Sequence, residues 1–432
     1  MRHAQFRLIL LICCAHALVH VYELSLPSVE QQIAEEYYEG DAVRGKLLTG
    51  QMSNSWRVTW GFGALAAGWL VDRYGSRLML AVYLLGCGAL CIAVGWCQTT
   101  GALFVVMVMM GALASIYHPA GLALISQTAS ADDRSRALGM HGVFGSLGIG
   151  FAPFAAALIL DAGMGWRVVY WWISVPGVLL GLVFVWVAWR QRSAPTAAVV
   201  AASLPPSEPR WRSFLTLTVV AMLQGFVYAA VFSFLPRYLS EAPAIYDVQE
   251  ISDRNQVAQT DDLVQGEMQP RTSTGMWWAM PVLLSGCMGQ FLAGRWARTA
   301  WLEKQLVAVI LLTIPFLLWM SAANGMIRVW AAAGFALVHF MHQPIYNSLI
   351  AQYTPPERRS ICYGFSFASG LGLGSVGALF AGVSRSDFVT YLTLAAVAGF
   401  AAMVGLVLVR QNRHYDSPFL TESNDRPFGE SV

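Results

Sequence analysis

Stretches of about 20 consecutive apolar residues recur along this chain, and they limit the fold more sharply than any other property, because that is the length at which an α-helix crosses a bilayer's hydrocarbon core. Twelve such segments are centred near Leu18, Gly63, Leu85, Leu113, Phe151, Leu179, Val227, Leu284, Leu312, Phe340, Gly372 and Val397. Within lipid each backbone donor and acceptor must be satisfied inside its own segment, so the segments are helices. With 56% hydrophobic and 12% charged residues over 432 positions, the chain is too apolar for a soluble fold. The fold expected is an all-α membrane protein of twelve transmembrane helices in two pseudo-symmetric six-helix bundles.

Basic residues mark the cytoplasmic side of such proteins. Here they gather at alternate ends of the segments, with Arg2, Arg7, Arg73, Arg77, Arg134, Arg136, Arg190, Arg192, Arg295, Arg298, Arg358, Arg359 and Arg410 on one side. The other side holds fewer, among them Arg44, Lys46, Arg167, Arg237, Arg271 and Arg328. Both termini are therefore expected in the cytoplasm, with the protein in a bacterial inner or plasma membrane. The first segment follows Arg2 and Arg7 as a signal peptide would, but it is long and has no small-residue cleavage site, so it reads as a membrane helix. The seven cysteines lie in or beside apolar segments without the paired spacing of a disulfide or zinc framework, and read as packing residues.

Residues 191–212, rich in Ala, Ser and Pro, read as a cytoplasmic linker between an N-terminal bundle over 1–190 and a C-terminal bundle over 213–410, with a cytoplasmic tail at 411–432. A second interruption, 241–273, carries Asp247, Glu250, Asp253, Asp261, Asp262 and Glu267 and reads as an outer surface loop or a lid. The halves repeat each other. Tyr117-His118-Pro119, Arg134 and Gly139 to Gly145 align with His342-Gln343-Pro344, Arg359 and Gly364 to Gly370 at an offset of about 225 residues. Internal repeats with a site at their interface mark secondary transporters.

A charged turn supplies the most specific local signal: Gly68-x-Leu70-x-Asp72-Arg73-x-Gly75-x-Arg77, between segments 2 and 3. In a six-plus-six chain it resembles the major facilitator superfamily, and the resemblance runs from Phe6 to Arg410. It implies that Asp72 with Arg73 and Arg77 forms a charge relay holding the inner gate shut in the outward-open state, while Gly68 and Gly75 permit the turn and close helix approach. The second-half copy, Gly289 to Arg298, has Arg298 in place of the acid. Segment 5 adds the stripe Gly139, Gly142, Gly145, Gly148, Gly150 and Pro153, which lets backbones touch and which resembles the stripe of proton-driven exporters. With Tyr117-His118-Pro119 and Arg134-x-Arg136 it resembles fosmidomycin-resistance-type exporters.

Polar residues at membrane depth are expensive and usually functional. His16, His20 and Glu23 recur at i, i+4 and i+7, so they share one helix face. Counting helix rise from the cytoplasmic ends places His20 roughly 20 Å deep, Glu23 roughly 24 Å, Arg57 roughly 22 Å and His118 roughly 18 Å. The same count gives roughly 16 Å for Gln224, 22 Å for Tyr228, 22 Å for His339 and 18 Å for His342. In the superfamily, segments 1, 4, 7 and 10 line the central cavity, which implies that His20, Glu23, His118, Gln224, Tyr228, His342 and Gln343 surround substrate. Glu23, assisted by His20, is the expected proton-coupling group. Its alternative is a structural bridge to Arg57, which itself has an alternative place with Glu30 or Glu35. His118, His342 and His141 have structural alternatives, and Tyr228, Trp277 and Trp278 have packing ones.

The expected function is secondary active transport of a small solute by alternating access, proton-coupled and leaning to export as an antiporter. The outer half would be closed by segments 1, 2, 7 and 8. The alternative is a passive facilitator or a transporter-like sensor. No phosphate-binding Gly-x-x-x-x-Gly-Lys-Ser/Thr loop occurs, against ATP-driven pumping. His16-x-x-x-His20 and His339-x-x-His342 lack the acidic partner a catalytic metal site needs, so neither enzyme activity nor a metal or other cofactor is expected. The basic residues are spread over short loops, which gives no nucleic-acid patch. The expected partners are the solute, protons and the bilayer, and the expected state is a monomer.

Overall fold

A computed structural model describes residues 3–129, 131–190, 209–245, 271–355 and 358–412, and among these the chain forms helices and turns with no strand. Most of the linker and of the acidic loop, and nearly all of the tail, lie outside the described residues. In the first half run α1 (His3–Ser28), α2 (Glu30–Tyr37), α3 (Ala42–Tyr74), α4 (Ser76–Val94), α5 (Thr100–Ala114), α6 (Tyr117–Thr128), α7 (Ala131–Asp161) and α8 (Trp166–Arg190). In the second run α9 (Trp211–Ser233), α10 (Leu235–Leu239), α11 (Thr274–Trp296), α12 (Leu302–Ala322), α13 (Met326–Tyr353), α14 (Arg359–Phe367), a π-helical stretch (Ala368–Leu373), α15 (Val376–Val383) and α16 (Asp387–Asn412).

Ten of the described helical stretches are long and apolar enough to cross a membrane, with α5 and α6 making one and α14 to α15 another. The two remaining expected crossings, α3 with 33 residues and α13 with 28, are long enough but less apolar. Polar residues occupy their middles: Ser53, Asn54 and Arg57 in one, His339, His342 and Gln343 in the other. The outward faces are apolar. On α8, Leu179, Leu182, Trp186 and Trp189 are all exposed, as side chains facing lipid tails would be.

The sequence repeat reappears as a repeat of packing. In the first half α1 packs on α7, α3 on α5 and α4 on α8; in the second the corresponding pairs are α9 with the π stretch and α15, α11 with α13, and α12 with α16. Across the halves α7 meets α11, and α3 meets α15 and the π stretch. Glycines permit these approaches. A Cβ at Gly61 would lie 2.3 Å from the Gly372 nitrogen, and one at Gly225 1.9 Å from the Gly370 oxygen, so α3 and α9 both press on the backbone of the π-helical stretch. Gly148 likewise lets α7 touch α1, since a Cβ there would lie 2.1 Å from the Ala17 oxygen. Gly148→Ala is expected to cost about 1–3 kcal/mol, read as a lower unfolding temperature of the purified protein in detergent. An unchanged temperature would mean that α1 is not held by this contact.

Candidate functional site

Glu23 sits on α1, 2% exposed, and its two carboxylate oxygens are held by different parts of the molecule. Oε2 lies 2.8 Å from Nδ1 of His20, one turn back on the same helix face. Oε1 accepts a 2.8 Å hydrogen bond from the Tyr228 hydroxyl on α9, in the other half of the chain. Arg57 on α3 completes the group: its Nη2 is 3.5 Å from Glu23 Oε1, close enough for an ion pair but not aligned as a hydrogen bond. Arg57 Nη1 instead donates to the Ser53 hydroxyl at 2.5 Å and to that of Ser233 at 3.1 Å, and the two hydroxyls are 2.8 Å apart. The guanidinium also lies 5.8 Å from the centre of the Tyr228 ring. Burying two opposite charges is tolerable only with such compensation.

A histidine cluster adjoins this group on the side of α1 nearer the N-terminus. His16 stacks on His141 of α7 at 3.7 Å and its Nδ1 lies 2.7 Å from the His141 carbonyl oxygen. His118 of α6 is 5.5 Å from His16 and 6.1 Å from His20, and it stacks on Phe367 of α14 at 4.9 Å. Ring nitrogens of His16, His20 and His118 all lie within 4.8 Å of one another, close enough to surround one small cation. Their hydrogen bonds to the His141 carbonyl and to Glu23 already tie two of these rings into the protein.

On the second half, Gln224 lies one turn from Tyr228, 2% exposed, with no hydrogen bond to its Nε2. His339 is 1% exposed, lies 6.1 Å from the Tyr228 ring, and neither of its ring nitrogens has a hydrogen-bond partner. His342 is turned toward the backbone, with Nδ1 2.5 Å from the His339 oxygen. Gln343 lies elsewhere: it accepts a 2.6 Å hydrogen bond from Gln290 of α11, which accepts one of 2.7 Å from Ser146 of α7, a polar chain across the halves. Sequence reasoning missed Ser53 and Ser233 and set His141 aside as structural. A separate recess of about 790 Å³ lies between α1, α7, α8 and α11, but exposed Leu147, Phe151 and Leu179 among its apolar walls make it a lipid-facing groove rather than part of the polar layer.

The two ends of the molecule differ. At the end distal from the N-terminus the halves are clasped. Glu30 takes hydrogen bonds from Arg237 Nε at 2.5 Å and Nη2 at 2.9 Å and one from Thr49 at 3.2 Å, and Asp161 takes one from Arg271 at 2.7 Å and one from Trp277 at 2.8 Å. Lys46 donates to the Ser384 oxygen at 3.1 Å, and nearer the middle of α3 Ser375 donates to Asn54 at 2.9 Å. Nearby, hydrogen bonds from Arg167, then from Trp166, hold the Glu36 carboxyl below its usual range, so that clamp loosens only as pH falls through the lowered value. Asp72 and Arg73 are exposed, and among the described residues neither they nor Arg77 form an ion pair. Among the described residues the charged side-chain ties between the halves thus gather at the distal end. Arg237→Gln should loosen the clasp, so that a cysteine placed at Ser240 is labelled several-fold faster; an unchanged rate would show that Glu30 and Arg237 do not hold this end shut.

The sequence model of the Major Facilitator Superfamily matches residues 47–379. A probable L-galactonate transporter of Escherichia coli (strain K12) is 27% identical over 210 residues, 45% of this chain and 46% of that protein. Puromycin resistance protein pur8 of Streptomyces alboniger is 27% identical over 166 residues, 38% of this chain and 30% of that protein, so the aligned stretches span less than half of either relative. Among solved structures, the xylose transporter XylE of E. coli, partially occluded and inward open, superposes with a TM-score of 0.70 at 12% identity, covering 94% of this chain and 99% of that one. A bacterial homologue of the human lysosomal transporter Spinster, inward-facing and occupied, gives 0.68 at 15% identity, covering 96% and 99%.

Proposed function

Because the chain belongs to the Major Facilitator Superfamily, we propose that it moves a small solute across the membrane by alternating access, driven by protons, with Glu23 the coupling carboxylate and His20 its partner. One observation carries this reading: a single buried carboxylate binds Arg57 and His20 of one half and Tyr228 of the other. Protonation of Glu23 removes its charge, weakens the attraction to Arg57 and alters the tie between the halves at mid-depth, so proton binding biases the equilibrium between the two open states. The basic-residue asymmetry supports the clasped end as the outer one, which in this reading makes the state described the inward-opening one. In the opposite state Asp72, Arg73 and Arg77 would close the inner end.

The protein would work as a monomer in a bacterial inner or plasma membrane with both termini cytoplasmic. Export was expected from the glycine stripe of α7, and the likeness to a puromycin resistance protein favours it. The stripe, however, is also used in packing, Gly145 against His16 and Gly148 against Ala17, so it supports close helix contact as much as direction. The relatives make L-galactonate and puromycin the first solutes to try. In liposomes with an imposed pH gradient, the solute carried should accumulate with the gradient and lose that accumulation when a protonophore is added. Equilibration at a rate indifferent to both would identify an uncoupled facilitator instead.

A further inference from the structure

Arg57 is 1% exposed, yet only Nη1 of its guanidinium is hydrogen-bonded; Nε and Nη2 have no hydrogen-bond partner. Those two nitrogens form one edge of the fork, the edge whose parallel N–H groups match the two oxygens of a carboxylate. Glu23 balances the charge without filling that edge: only Nη2 comes near it, 3.5 Å from Oε1 and out of line for a hydrogen bond, and Nε meets no acceptor. Buried donors left without acceptors are costly, and such atoms mark places where a partner belongs. The same layer holds two more: Gln224 Nε2, one turn from Tyr228, and both ring nitrogens of His339, whose ring lies 6.1 Å from that of Tyr228.

We propose that the substrate is a small organic acid, its carboxylate seated on the Nε and Nη2 edge of Arg57 and its hydroxyl groups meeting Gln224 and His339. The inference rests on the transporter reading above and adds the solute's chemical class and its stoichiometry with protons. Apart from its histidines, the empty layer holds one positive group, Arg57, and one negative one, Glu23. A second carboxylate would leave a net negative charge in a low-dielectric site, and one proton taken from solvent by Glu23 restores balance. No covalent bond changes. The groups facing Glu23 are His20 on α1, Arg57 on α3 and Tyr228 on α9, with His118 of α6 against His20 and His339 of α13 against Tyr228. Carboxylate and proton therefore cross together, in the same direction, so an inward proton gradient drives entry of the acid rather than the export that the glycine stripe suggested.

Trp60, 6.1 Å from His20, gives a signal independent of proton movement. The full chain in detergent is titrated with gluconate, with lactate, and with glucitol as the neutral counterpart of gluconate. A saturable tryptophan change with at least one of the two acids and none with glucitol is expected. Arg57→Lys, which keeps the charge but loses the fork, should weaken acid binding about tenfold. Gln224→Leu, which leaves the ion pair intact, should weaken gluconate binding; its unfolding temperature and that of Arg57→Lys show whether each variant is folded. Glu23→Gln should bind the acid at least as tightly as the unaltered protein. Equal binding of glucitol, no binding of either acid, or full affinity in folded Arg57→Lys overturns the assignment. In liposomes, external acid should acidify the lumen. Entry of the acid with no pH change would keep the substrate class and refute the proton coupling, so the two readings fail separately.

Discussion

Glu23→Gln protein is expected to exchange solute across the membrane but not to accumulate it. With one proton per solute, a gradient of two pH units supports about hundredfold accumulation in the unaltered protein, since each unit is worth about a factor of ten. Glutamine keeps the size of the side chain and can still accept from Tyr228, whose hydroxyl is 2.8 Å from Oε1, so the site stays assembled. What it cannot do is gain and lose a charge beside Arg57. Counterflow of labelled against unlabelled solute reads exchange, and uptake under the imposed gradient reads coupling. Hundredfold accumulation surviving in the variant would remove Glu23 from the coupling step and leave it as a structural bridge.

Arg57→Leu is expected to produce the largest loss of stability. It leaves the Glu23 carboxylate, 2% exposed, without its counter-charge, and removal of one partner of a buried pair costs about 3–5 kcal/mol. It also strands the Ser53 and Ser233 hydroxyls, although these still meet each other at 2.8 Å. Adding Glu23→Gln should recover much of that loss, because the charge that needed Arg57 is gone. Unfolding of the four proteins in one detergent forms a double-mutant cycle. Additive losses would contradict the ion pair as the main role of Arg57 in stability.

Much of this layer was legible in the sequence because helix geometry is rigid. The i, i+4, i+7 spacing alone places His16, His20 and Glu23 on one face, and a rise of 1.5 Å per residue brings Arg57 and Tyr228 to the same depth as Glu23. Ser53 and Ser233 were not legible: a lone hydroxyl in an apolar helix carries no charge signal, and its partners lie about 180 residues away along the chain. His141 was set aside because it sits near the start of its crossing, whereas the register of α7 on α1, fixed by Gly145 and Gly148, stacks it on His16. Gln343 shows the limit of depth counting. It neighbours His342, but a further 100° of helix rotation turns it toward Gln290 and α7. The polar residues in their middles keep α3 and α13 from the hydropathy that marks the other crossings, whereas α1 and α9, which carry Glu23 and Tyr228, are recognised by it.

The clasp at the distal end and the unpaired Asp72 turn at the near end give the two halves of a gating account, and the Glu23 group lies between them. Its most direct test is solute-driven proton movement. Purified protein in liposomes carries a pH-sensitive dye in the lumen, and solute is added outside with no gradient imposed. A solute-dependent change of internal pH in the unaltered protein, absent in Glu23→Gln although that variant still exchanges the solute, is the result predicted. Solute entry that leaves internal pH constant in the unaltered protein, or a pH change that persists undiminished in Glu23→Gln, would contradict it.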